Sequence, residues 1–249
     1  AWPGGPRDLQ AAALCGGSFW GALALGQAAG GLAGVSCASG PVASSIGAVA
    51  VLAGGWLAER GAAFAVGEDA PPGRTSERVV TVLSTLSVFQ ALGGRFCAVL
   101  PSDVLFPGAF ARRSIPATSK YASLAERQEV QAIGRKSGCH TCGTRFPRVF
   151  HADHMPPIKL CNVQTSGFLG FFRKWPAQEF YPQCGSCSRV QSRAARISTR
   201  KTLALELRYH FTSLRAYHAS GLLVGMLAYK LQEKRRDEFL AQRDDWAAK

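Results

Sequence analysis

The sequence predicts a mainly α-helical chain. Transmembrane helices stand at the N-terminus, a small metal-stapled domain in the middle and long helices at the C-terminus. Three observations carry this reading. Fifty residues, Leu9 to Ala58, pass without a charge. Two C-x-x-C pairs, Cys139/Cys142 and Cys184/Cys187, lie 41 residues apart in the second half. Residues 202–245 contain no proline and two glycines, Gly221 and Gly225.

An uncharged run of that length is rare in a soluble core and ordinary in a membrane hairpin. Ser36, Ser39, Gly40 and Pro41 interrupt it, so the reading is a helix at about 11–35 and another at about 42–66, joined by a tight turn. Gly17 and Gly21, then Gly26, Gly30 and Gly34, recur every four residues. That spacing lines them along one face, where another helix packs closely. A flexible Gly/Ala linker is the competing reading; Phe19, Trp20, Leu23, Val51 and Trp56 argue against it.

A solvated loop over 59–78 leads to a third apolar run, Val79 to Leu100. It has the length to span. Gln90 and Arg95 are costly in lipid unless they face protein or snorkel, so a helix lying against the membrane is the alternative. The membrane region is thus residues 1–111, with helices at about 11–35, 42–66 and 79–100. A start at Ala1, without methionine, fits either removal of a targeting peptide or an incomplete sequence.

Charge divides the chain. Residues 1–111 carry five Lys+Arg and six Asp+Glu; residues 112–249 carry 24 and ten, a formal +14. By the positive-inside tendency the basic half lies on the cytosolic, matrix or stromal side. A linker and helix (about 121–135) occupy 112–137. After the second cysteine pair, Ser188 reads as an N-cap. Arg189, Arg193, Arg196 and Arg200 then fall on one helical face. The stripe suits phosphates of nucleic acid or anionic lipid headgroups, or is simply a solvated face. Residues 201–249 read as a helical extension, in which 221–231 is a buried or interfacial segment rather than a further span.

Two C-x-x-C pairs present four thiolates, the donor set of a closed structural Zn²⁺ site, and Gly143 suits the tight turn after Cys142. A redox C-x-x-C or a pair of disulfides is the alternative. Cys161 has no partner at ligand spacing and reads as a small buried residue. The remaining cysteines sit in apolar runs, which favours a reducing compartment.

The stretch Cys139-His-Thr-Cys142, Asp153-His154-Met155-Pro156 and Cys184-Gly-Ser-Cys187 resembles the HNH (His-Me finger) nucleases of the zinc-knuckle subtype, over about a quarter of the chain. The resemblance implies a treble-clef/HNH-like zinc domain over 138–200. It also implies a metal-binding role for Asp153 and a general-base role for His154. The family's asparagine before the second C-x-x-C is Glu179 here, and its ligand after that motif is Ser188. His151 and Glu179 are the spare ligands at hand. These departures point to a scaffold that has lost nuclease chemistry.

The expectation is therefore a non-catalytic accessory subunit of an organellar membrane complex of respiratory-chain or ATP synthase type, in the mitochondrial inner membrane. Its partners would be other membrane subunits and lipid headgroups. The alternatives are a membrane-tethered, metal-dependent nuclease, and a module binding nucleic acid or anionic lipid. The glycine-rich nucleotide loops and the serine-hydrolase elbow have no counterpart in the sequence.

Overall fold

The computed structural model describes residues 5–67, 75–117, 121–147, 149–158, 178–198, 206–211 and 213–247. It is mainly α and divides into two compact units. One comprises Ala1–Gly26, Ser44–Val99 and Leu214–Lys249, the other Gln27–Ala43 and Leu100–Ser213.

The first unit is helical. α1 (Pro6–Leu32) and α2 (Gly40–Val66) are each 27 residues long, about 40 Å at 1.5 Å per residue, and exceed the ~30 Å of a bilayer core. Both are apolar and long enough to be candidate membrane spans. Only 28% and 39% of their most apolar windows are buried, less than a soluble core helix would show.

The two helices run antiparallel. A Cβ on Gly26 would stand 2.8 Å from Ala50 Cβ, one on Gly54 2.7 Å from Phe19, and one on Gly61 3.3 Å from Leu14. Glycine is therefore what permits this spacing. Phe19 is wholly buried against Gly54 and also against Gly221. The five glycines singled out by spacing have different surroundings. Gly26 meets Ala50, and Gly30, in the second unit, meets Leu100. Gly17 and Gly21 have no described atom within 4 Å of a built Cβ. Gly34 adopts φ +67° just beyond the end of α1, which explains why the helix stops at Leu32 rather than 35.

The third apolar run does not make a 22-residue helix. α3 is Thr75–Ala91, 17 residues, and a 3-10 turn, Phe96–Val99, follows. Gly93 at φ +79° breaks the run, and Gly94 is packed on the Phe89 ring. Phe89 in turn stacks on Phe96 at 5.6 Å and meets the Tyr217 ring at a tilt, 5.0 Å between centroids. Tertiary aromatic packing thus wins over continuous helix.

The C-terminal stretch is not helical throughout either. A short strand, β5 (Leu207–Arg208), and a 3-10 turn (Ala216–Ala219) precede the long helix α6 (Ser220–Ala247). Its Gly225 packs against Cys15 and Ala58.

His218, in the turn before α6, accepts the Arg215 N–H at Nδ1 (2.8 Å). Burial lowers its pKa from 6.5 to about 4. The folded state thus prefers neutral imidazole. Its contribution is complete above about pH 6.5 and is lost as pH falls from there to about 4, roughly 3 kcal/mol in all. In His218→Gln, stability should vary correspondingly less between pH 7 and 4. Chemical denaturation at stepped pH checks this, and equal slopes in both proteins would refute it.

The second unit holds two small antiparallel sheets: β1 (Ser102–Asp103) with β5, and β2 (Ile115–Pro116), β4 (Glu179–Gln183) and β3 (His151–Met155) in the order β2-β4-β3. α4 (Leu124–Ser137) begins at a capping box: Ser123 Oγ accepts the Glu126 N–H, and Glu126 Oε2 accepts the Ser123 N–H at 2.7 Å. Val130 of α4, Ile115 and Phe180 form one buried cluster. α5 (Gly185–Ser198) opens directly after Cys184, so that Cys187 lies in its first turn. Ser188 is not its N-cap but lies within the first turn. Cys184 stands at the cap position instead, its sulfur receiving the Cys187 N–H at 3.5 Å.

Candidate metal centre

The first knuckle is a tight turn. Gly143 N–H donates to Cys139 O and Cys139 N–H to Thr144 O, both at 2.8 Å. Gly138 (φ +83°) and Gly143 (φ +75°) supply the left-handed residues that close it. The second knuckle joins the end of β4 to the start of α5. The two meet through backbone: His140 N–H donates to Pro182 O at 2.8 Å, and Cys184 N–H to Cys139 Sγ at 3.3 Å.

The Sγ atoms of Cys139, Cys142, Cys184 and Cys187 all lie within 4.8 Å of one another. Cys142 Sγ is 3.8 Å from Cys184 Sγ, close to the edge of a tetrahedron with Zn–S bonds of about 2.3 Å. All seven described cysteines are free thiols; Cys161 lies outside the described residues.

Crowding divides the four thiols. Cys139 is pushed up, first by its hydrogen bond with Cys142, and Cys187 is pushed up, first by that with Cys139. Cys142 and Cys184 are held low, chiefly as acceptors from Cys139. Four thiolates cannot share so small a buried space by themselves. A dication there removes the conflict, so the donor set and its spacing fit a metal ion such as Zn²⁺. Such an ion would bring structural rather than Lewis-acid chemistry, since four thiolates leave no open position.

A residue that the spacing argument passed over sits between the two cysteines of the first knuckle. His140 is 1% exposed. Its Nδ1 accepts the Gly108 N–H at 3.1 Å, which leaves the ring proton on Nε2. Nε2 faces Asp153 Oδ2 at 3.3 Å. Gln191 of α5 donates to the same carboxylate oxygen at 2.9 Å. Asp153 is thereby tied to both the knuckle and the helix.

His154, next on β3, follows the strand's alternation to the other side. Its ring meets Phe180 edge-on, with centroids 4.4 Å apart. Both residues still border one cleft of about 260 Å³, together with Gln191, Ser192 and Arg196.

Glu179 accepts from the Ser114 and Tyr181 hydroxyls at 2.7 and 2.8 Å. His151 is exposed at the start of β3. Neither belongs to a described metal-ligand cluster. Arg189, Arg193 and Arg196 are exposed on α5, whereas Cys187, Gln191 and Ala194 are buried. Arg193 pairs with Glu206 at 3.3 Å, and Arg196 Nε donates to Ser192 O. Arg200 lies outside the described residues.

No family model, curated protein or solved structure matches this chain. The function must therefore be read from the four-cysteine centre, the cleft beside it and the two candidate membrane helices.

Proposed function

We propose that the chain is a non-catalytic accessory subunit of a larger membrane assembly, anchored by α1 and α2 and carrying a zinc-stapled, HNH-like module. The observation that carries this reading is the engagement of Asp153. Its Oδ2 accepts a hydrogen bond from Gln191 and lies 3.3 Å from Nε2 of the buried His140, and His154 rests on Phe180. A metal-dependent hydrolase needs its carboxylate and its base turned toward one ion and one water. In this arrangement the two side chains leave the strand on opposite sides, and the carboxylate serves as a brace between knuckle and helix. Four cysteine sulfurs make a site of the closed, structural kind. The basic second half suits the cytosolic, matrix or stromal side, with an organellar inner membrane as the proposed setting.

The deciding experiment is gentle detergent extraction from the source membrane, followed by native electrophoresis and mass spectrometry of co-migrating chains. The expected result is a large particle with fixed partners. A monomer would overturn the proposal.

The second reading is a nuclease, favoured by the cleft that Asp153, His154 and Arg196 share. Under it, Mg²⁺- or Mn²⁺-dependent cleavage of DNA or RNA would be present in the native chain and fall by at least a hundredfold in His154→Ala. We expect no cleavage in either protein.

A further inference from the structure

The first unit contains a groove of about 900 Å³ between α3 and α6. Val80, Val88, Leu223, Leu227 and Leu231 give it apolar walls. Val80, Leu223, Leu227 and Leu231 are each at least half exposed, so this is an uncovered apolar face.

Its polar residues form a mixed set. Glu59, from α2, lies almost wholly buried at the groove and accepts from Gln232 Nε2 at 3.2 Å. Arg78 Nε lies 3.6 Å from Glu59 Oε1, beyond hydrogen-bond reach of that carboxylate. That nitrogen is buried and has no hydrogen-bond acceptor among the described residues. Glu77 and Arg235 pair across the mouth at 2.7 Å, and Lys234 and Glu238 are loosely joined at 3.8 Å.

An apolar slot with an orphaned guanidinium N–H and charges of both signs at its rim matches one kind of molecule. It needs acyl chains for the walls, an anionic oxygen for Arg78 and an ammonium for the carboxylates. We infer that the α3–α6 groove binds one zwitterionic glycerophospholipid, its phosphate toward Arg78 and its ammonium toward the Glu77 and Glu238 side. The inference rests on the membrane-anchored reading, because α1 and α2 of the same unit are what would bring the groove into lipid. An ionisable residue buried beside a lipid-facing surface is ordinarily retained for a polar task, which suits Glu59 as the acid that positions Arg78.

The test uses the full chain reconstituted in phosphatidylcholine vesicles containing a phosphatidylcholine with a photoactivatable acyl chain. Adducts should concentrate in residues 80–88 and 223–231 and saturate near one per chain. They should fall at least fivefold in Leu227→Trp, a substitution at an exposed wall position that fills the slot without disturbing the core. Arg78→Gln should weaken labelling in the same segments. A photoactivatable diacylglycerol, lacking the headgroup, should label them poorly. Unsaturable labelling spread along α1 and α2 and unchanged in Leu227→Trp would reduce the lipid to a bilayer annulus and overturn the site. Equal labelling by the diacylglycerol would overturn the headgroup assignment. Vesicle flotation separates the two readings. A chain that floats but does not label at the groove defeats only the lipid site, whereas one that does not float defeats the membrane anchor as well.

Discussion

Cys139→Ser or Cys184→Ser is expected to unfold the module that spans the two knuckles. The cysteines connect segments more than 40 residues apart in sequence, and the sheet beside them has only three short strands. So small a core contributes little by itself. Binding of a structural Zn²⁺ by such sites is worth roughly 10–16 kcal/mol at neutral pH, comparable with the ~5–15 kcal/mol total stability of an ordinary domain. Losing one thiolate opens the tetrahedron. It also releases the Cys184 N–H to Cys139 Sγ bond that holds the knuckles together. Elemental analysis should find about one zinc per native chain and almost none in either variant. Amide exchange in β3, β4 and α5 should rise to near the unfolded rate, and chelator should do the same to the native protein. Acid acts in the same direction, because protons compete with the metal for the four sulfurs. Unchanged protection in Cys184→Ser would refute the structural role of the site. Four missing protons without metal, by intact mass, would establish disulfides instead.

Phe180→Ala is expected to cost about 3–5 kcal/mol, the usual range for removing a buried aromatic ring. Phe180 is fully buried on the central strand β4, where it packs with Ile115 and Val130 and with Ile133 and Ala152. Its ring also supports the His154 imidazole edge-on, an arrangement worth about 0.5–1.5 kcal/mol beyond burial. Urea unfolding should show the loss as a lower midpoint with the slope retained. Zinc content should stay at one per chain, which distinguishes a weakened core from a broken metal site. Phe146→Ala is the control: that side chain is 98% exposed, and its removal should change stability by no more than ~0.5 kcal/mol. A Phe180→Ala effect as small as the control's would mean that β4 is not the centre of this core.

The parts of the fold readable in the sequence are those decided locally. The C-x-x-C pairs announce a four-cysteine cluster fit for a metal because two sulfurs in one tight turn already point the same way, and Gly143 marks the turn. The Ser123–Glu126 box marks the start of α4 in the same manner. Other signals were present but weak. Gly93-Gly94 ends α3, yet the hydropathy of 79–100 runs straight through it. Leu207 to Phe211 carries the period-two pattern of a strand, and Tyr209 and Phe211 do stack on each other at 5.6 Å. The absence of proline there says only that a helix is permitted. Equal spacing of glycines along α1 likewise says nothing of which of them meet a neighbour.

By itself the sequence determined the four candidate sulfur donors, the apolar character of α1 and α2 and the basic second half, because donor type, hydropathy and charge are properties of residues and their nearest neighbours. The tertiary structure alone decided that His140 and Gln191 hold Asp153, that His154 leans on Phe180, and that α3 and α6 leave a charged-rimmed groove. Each of these depends on groups far apart in the chain meeting within hydrogen-bond or van der Waals distance. Such meetings are selected by which buried donors and apolar faces find partners when the whole chain packs.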